Sequence, residues 1–225
     1  SLINRLRSGK AGPFERLRAD RKAIAVYTAR EVLDAAAKGN VVIRGWGATL
    51  LLHPVPHVPC VRILRPFEKR VQWLMQQLDT DDADAAAKEI ERSDQANATR
   101  MHEQFGVTWN EPVLFDMVLN TDRLTVDTCV QQIRGLLARP EFAETEASRT
   151  ALLGLALSAH VRAALRDDAQ TAGVNVTIEA ARGLVRLSGI VLDANERDQT
   201  ERVAASVPGV SGVENRLRVM SPRGG

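Results

Sequence analysis

The chain has 225 residues, enough for one or two domains that each bury a core. Hydrophobic residues make up 44% and charged residues 26%, as in ordinary globular proteins. The net charge of +2 creates no strong field, and no apolar run reaches the ~18 residues of a transmembrane helix. We therefore expect neither a nucleic-acid partner nor a transmembrane segment. Cys60 and Cys129 lack metal-type spacing, so we expect buried, reduced thiols in a cytoplasmic protein and no metal site.

The N-terminal third of the chain contains a glycine-rich turn after a short apolar run. Residues 1–23 are rich in Lys and Arg, and we expect a flexible basic arm there. Residues 24–38 are predicted to form a helix that stops at a Gly-Asn pair. Residues 41–43, Val-Val-Ile, read as a buried strand that leads into Gly45 and Gly47. Glycines after a strand let the backbone approach a phosphate, or they only make a tight turn, and the sequence leaves both interpretations open.

The middle of the chain alternates predicted strands and helices. Residues 60–64 and 112–121 read as strands. Apolar spacing predicts helices over 66–78 and 125–137, and residues 81–104 form a polar, helix-prone segment that projects into solvent or over a site. This alternation indicates an α/β fold with a parallel sheet.

The pattern changes after an Ala-, Glu- and Pro-rich stretch. Downstream of it come a helix, two strands with alternating apolar residues, a helix that Asp193 and Glu196 can cap, and a last strand. This order, α-β-β-α-β, predicts a small α+β domain. The organisation we predict is an arm at 1–23, an α/β domain at 24–140, a linker at 141–149 and an α+β domain at 150–225.

The stretches GNVVIRGWGATLLL, RILRPFEKRVQWLM, IERSD, FGVTW and LFDMVLNTDRLTV resemble, in this order, the cytidylate-kinase-like family, whose relatives are nucleoside monophosphate kinases. The resemblance covers residues 24–138 and implies a parallel-sheet nucleotide-kinase fold, incomplete at its N-terminus. It also implies candidate nucleotide-binding residues, namely Arg44, Gly45, Trp46, Gly47, Arg92, Asp94 and Arg100.

Several positions depart from the family pattern. The family has Gly-Arg-Gly where this chain has Gly45-Trp46-Gly47, and an indole cannot bind phosphate as a guanidinium does. Arg44, one residue away, compensates only if the strand end twists. Further family arginines are replaced by Gln76, Gln77 and Asn97. The glycine-rich phosphate loop with its lysine is missing before Val41, so ATP and Mg would bind only if such a loop lies upstream of Ser1. We identify no catalytic residue.

The last part of the chain carries a second resemblance. GLVRLSGIV and VPGVSGVENRLRV resemble the BON domain over residues 155–220, and Gly183, Gly189 and Gly209 fall where that family has turns. The resemblance implies a phospholipid or other ligand and no catalytic residue.

Three hypotheses for function follow. The first is a bacterial, cytoplasmic pseudoenzyme, in which a degenerate or truncated kinase-like domain and a BON domain bind partners or form a scaffold. The second is an active cytidylate-type kinase whose phosphate loop precedes Ser1. The third is phospholipid or membrane-surface binding through the BON domain. An incomplete sheet exposes an edge and apolar faces, so we also expect a homodimer.

Overall fold

The computed structural model describes the backbone of residues 13–45 and 47–220, and side chains from residue 24 onward within those ranges. The chain divides into two compact units: residues 1–51 together with 146–225, and residues 52–145. The elements in chain order are α1 (Pro13–Lys38), α2 (Ala48–Leu52), β1 (Val61–Leu64), α3 (Phe67–Leu78), α4 (Ala83–Phe105), β2 (Met117–Asn120), α5 (Val126–Leu137), α6 (Glu146–Asp167), β3 (Thr177–Ala181), β4 (Leu184–Val191), α7 (Ala194–Ala205) and β5 (Gly212–Val219).

The 52–145 unit is built on two parallel strands. Strand β1 pairs with β2, with Val61 opposite Met117. Side-chain caps start two of its helices: Asp82 accepts from Ala85 N–H at 2.9 Å before α4, and Thr125 accepts from Thr128 N–H at 3.2 Å before α5. The predicted parallel α/β arrangement is confirmed.

The predicted strand at residues 41–43 is wrong. This stretch is irregular, and Val42 is 97% exposed. Positive φ angles stand on both sides of it, at Gly39 (75°) and Asn40 (50°) before it and at Gly45 (74°) after it. A strand needs a neighbour that shares its hydrogen bonds, and within the described residues this stretch has none.

The predicted flexible arm also needs correction. Helix α1 begins at Pro13, eleven residues before the predicted start at Ile24, so the second half of the arm is helical backbone. Proline is well suited to a first helical position because its φ is already helical and its missing N–H costs no bond there. Residues 1–12 lie outside the described part of the chain.

The C-terminal module has the predicted α-β-β-α-β order, running from α6 to β5. Its sheet has the order β3-β4-β5, with β3 antiparallel and β5 parallel to β4, and α7 provides the crossover between the parallel pair. The predicted cap is present: Asp193 accepts from Glu196 N–H at 2.8 Å, and the Glu196 carboxylate accepts from Leu192 N–H at 2.6 Å. The core consists of apolar side chains that are nearly all fully buried, among them Val161, Leu165, Val185, Leu187, Val191 and Ala204.

Helix α1 packs on α6 and so belongs to the same compact unit as the C-terminal module. Val32, Leu33 and Ala36 are buried on α1. Two polar contacts join the helices in antiparallel register: Asp34 Oδ1 lies 2.8 Å from His160 Nε2, and Tyr27 donates to Asp167 at 2.5 Å. The compact units therefore divide the chain differently from the predicted boundaries at residues 140 and 150.

Candidate functional site

The glycines at 45 and 47 form a turn that starts a helix. Both have positive φ, 74° and 71°. Gly45 O accepts from Ala48 N–H at 3.0 Å, and Gly47 O accepts from Leu50 N–H at 3.0 Å. A Cβ on Gly45 would meet nothing within 4 Å, so glycine is required there by backbone conformation and not by a close approach. Trp46, between them, lies outside the described residues.

The sequence-predicted nucleotide residues fall in different places. Arg44 is exposed and belongs to the unit that contains α1. Asp94 is half-buried on α4, whereas Arg92 and Arg100 are exposed on the same helix. Arg92 binds Glu89, one turn earlier, at 2.8 Å, as expected of a solvated helix charge.

A bidentate ion pair in the 52–145 unit involves an arginine that sequence reasoning missed. Arg70 on α3 binds the Asp94 carboxylate through both terminal nitrogens, at 2.9 and 2.8 Å. This bidentate hydrogen bond raises the pKa of Arg70. The Phe67 ring lies 5.7 Å from the guanidinium carbon, and the remaining Arg70 nitrogen, Nε, is buried without a partner among the described residues. The pair joins α3 to α4.

A second arginine holds the loop that precedes β2. The guanidinium carbon of Arg62 on β1 lies over the rings of Trp109 and Phe115, 5.1 and 5.2 Å from their centroids. Its guanidinium donates to Trp109 O at 2.6 Å and to Asn110 Oδ1 at 2.5 Å. Burial lowers the pKa of Arg62, and the charge of Asp94 opposes that shift. Two features of the sequence could have indicated these contacts: Arg62 lies within an otherwise apolar strand, and the aromatic stretch FGVTW follows at residues 105–109.

These contacts define what the unit can do chemically. Phosphoryl transfer depends on cations directed at the oxygens of the transferred group. Here Arg70 is directed at Asp94 and Arg62 at loop carbonyl oxygens, while Gln76 and Gln77 are exposed and uncharged. The two half-buried arginines thus hold helices and a loop together.

The BON-type glycines occupy two turns and one strand. Arg182 and Gly183 have φ of 49° and 82°, which gives the two-residue turn of the β3–β4 hairpin. Gly209, with φ of 92°, lies in the turn before β5. Gly189 lies within β4, with φ of 135°, and a Cβ there would contact Val176 at 3.5 Å.

The C-terminal module carries a groove of about 300 Å³ beside these turns, lined by Thr150, Leu153, Gly154, Leu157, Arg182, Gly183 and Gly209. The outer face of its sheet is polar at one end, where Arg186 binds Glu214 at 2.8 Å and Glu179 at 3.6 Å. The other end is apolar, with Ile190, Leu192 and Met220 exposed near Arg218.

Two further properties concern the described part of the chain. No group of three His, Cys, Asp or Glu side chains is placed there to hold a metal ion. None of the helices in that part combines the length and apolar character needed to cross a bilayer.

The protein combines two structural classes. Its 52–145 unit is of the α/β class, with parallel strands connected through helices, and its C-terminal module is a small α+β domain of the order α-β-β-α-β. Residues 2–123, more than half of the chain, match the cytidylate kinase-like family, and residues 155–221 match the BON domain. The chain belongs to the cytidylate kinase-like family and carries a BON domain.

A 110-residue stretch is also 27% identical to part of a uronate isomerase from Corynebacterium glutamicum, covering 49% of this chain and 21% of that protein. The chain thus spans about a fifth of the length of that relative.

Proposed function

We propose that this chain is a bacterial, cytoplasmic binding or scaffold protein whose kinase-like unit does not transfer phosphoryl groups. The observation that carries the proposal is the bidentate pair between Arg70 and Asp94. An arginine whose two terminal nitrogens already bind a carboxylate must release it before it can bind a phosphate. The neutral residues Gln76 and Gln77, where the family has arginine, support the same conclusion.

The test is a turnover assay. The chain is incubated with ATP, magnesium and each nucleoside monophosphate, and ADP formation is followed. We expect no turnover, and a rate within the roughly 1–100 s⁻¹ of typical kinases would refute the proposal. Trp46→Arg restores the family pattern and is expected to confer neither turnover nor affinity for cytidine monophosphate in a calorimetric titration.

Two variants distinguish the effect of breaking the Arg70–Asp94 pair from the effect of removing any one negative charge. Asp94→Asn removes the carboxylate that occupies Arg70, and Glu89→Gln does the same to exposed Arg92 on the same helix. Neither variant is expected to gain turnover. A gain by Asp94→Asn alone would show that the pair masks a working site, and the scaffold proposal would then fail.

The second candidate is an active cytidylate-type kinase, and membership of the kinase-like family favours it. It would take ATP and Mg through a phosphate loop encoded before Ser1. Reading the codons upstream of Ser1 decides whether a strand and a glycine-rich loop with lysine stand there. If they do, the assay above is repeated on the extended protein, and turnover would establish this candidate.

The third candidate is phospholipid binding by the BON domain. The exposed apolar end of its sheet, with Ile190 and Leu192 near Arg218, favours it because apolar side chains beside a cation suit an anionic lipid surface. Co-sedimentation with anionic vesicles should exceed that with zwitterionic vesicles, and Arg218→Glu should remove the difference. Equal sedimentation with both vesicle types would reject this candidate.

A further inference from the structure

Helix α5 carries an apolar stripe that is largely exposed to solvent. Val126, Val130, Ile133 and Leu137 follow one another at spacings of four, three and four residues, which places them within one narrow face of a helix. Val126 is 73% exposed, Val130 48% and Leu137 51%. The helix is anchored through a different side, where Cys129 is buried. Ile133 is half-buried, and the residues that the structure describes leave Val126, Val130 and Leu137 uncovered.

The spacing is that of a coiled-coil seam. Taking Val126 and Ile133 as d positions makes Val130 and Leu137 a positions. Asp127 and Arg134 then follow the d positions and occupy e, beside the seam. Both are exposed, and neither forms an ion pair with any residue that the structure describes. The buried Cys129 occupies a g position, on the side of the seam opposite to the two e charges.

The two e charges distinguish between possible pairings of this seam. In an antiparallel pair of copies, the e positions of one helix lie beside the e positions of the other. Val126 then meets Leu137 and Val130 meets Ile133 across a two-fold axis, and Asp127 of each copy faces Arg134 of the other. In a parallel pair, e lies beside g, and the g positions here are Cys129 and Leu136, which carry no charge.

We infer that α5 is a homodimer interface, on which a second copy of this chain docks with its α5 antiparallel. The occupant is another copy because one surface supplies both the apolar seam and the two opposite charges, as a two-fold interface requires. The helix has 12 residues, a length of about 18 Å, so the seam is short. The dimer is accordingly weak and concentration-dependent, as small interfaces are. This inference does not depend on whether the chain is an enzyme.

The test is a charge swap measured by sedimentation velocity over a wide concentration range. Wild-type chain should show a monomer–dimer equilibrium. Asp127→Arg and Arg134→Asp each place like charges across the two-fold axis and should weaken dimerisation by about tenfold. The double variant carries both changes, regains two opposite-charge pairs and should dimerise like wild type.

Controls keep the result specific. Asp127 lies in the first turn of α5, where a carboxylate favours the helix, so circular dichroism must show an intact helix in each variant. The double variant retains arginine at that position, so restored dimerisation cannot come from helix stability. Val130→Asp should abolish dimerisation. Glu91→Arg, at an exposed position on α4, should not change it.

A monomeric wild-type chain at every concentration would overturn the inference. So would a dimer that survives Val130→Asp, because the contact would then lie elsewhere. A double variant as weak as the single ones would overturn the antiparallel arrangement.

Discussion

Substituting Gly154 by alanine should separate two elements of the BON module. Gly154 lies on the face of α6 that meets β3, and an added Cβ would fall 2.1 Å from Ala180 O. Real Cβ atoms stay at least 3.0 Å from such an atom, so helix and strand must move apart by roughly 1 Å. The obstacle is backbone, which cannot rotate away as a side chain can.

The expected cost follows from two opposing effects. Overpacking a well-filled core costs about 1–3 kcal/mol, and replacing a helical glycine by alanine returns about 1 kcal/mol. Because the contact is with a strand carbonyl, we expect the upper end of the first range, and a net loss of about 1–2 kcal/mol of unfolding free energy.

Gly135→Ala in α5 is the matched control. A Cβ there meets nothing within 4 Å, so only the helix-propensity gain of about 0.5–1 kcal/mol remains. Urea unfolding is followed by far-UV circular dichroism for both variants. Stabilisation of Gly154→Ala by as much as Gly135→Ala would refute the argument, because the helix and strand could not then be in the contact described.

The remaining predictions concern polar and ionisable groups. Asp94→Asn should lower the unfolding free energy by about 1 kcal/mol, since the bidentate pair is about a third exposed, whereas Glu89→Gln should change it by less than about 0.5 kcal/mol in urea melts. Burial raises the pKa of Cys60 from 9.0 to about 11, so alkylation at pH 9 should be many-fold slower in native than in urea-unfolded protein, and stability should fall as pH rises from 9 towards 11. The hydrogen bond to Asp167 raises the pKa of Tyr27 above 10.0. The contribution of this hydrogen bond to the unfolding free energy is therefore complete below pH 10 and is lost as the pH rises above it. Tyr27→Phe should flatten that alkaline part of the plot of unfolding free energy against pH.

Local patterns predicted the parts of the fold that local interactions determine. Helices α4 and α5 and the cap at Asp193 follow from spacing and end signals within a dozen residues. The stretch 41–43 has the composition of a buried strand, but a strand exists only where another segment completes its hydrogen bonds. That condition is non-local, and the prediction failed there.

The candidate site was harder to predict for the same reason. Asp94 was identified, but its partner Arg70 lies 24 residues earlier on another helix. Arg62 meets Trp109 across 47 residues of sequence. The spacing of apolar residues along a sequence does not indicate which charged side chain will contact which loop in the folded chain. The arginines that hold the unit together could therefore be recognised only from the structure.

The packing of α1 on α6 has a consequence for proteolysis. The family match assigns α1 to the same segment as β1 and β2, yet the contacts of Tyr27 and Asp34 lie on α6. A protease that cuts the exposed stretch at residues 143–145 would break the backbone between the two family segments. The N-terminal fragment would still hold the C-terminal one through α1, so the nicked protein should elute as one species until denaturant is added. Cutting the chain between its two family segments is therefore not enough to separate them.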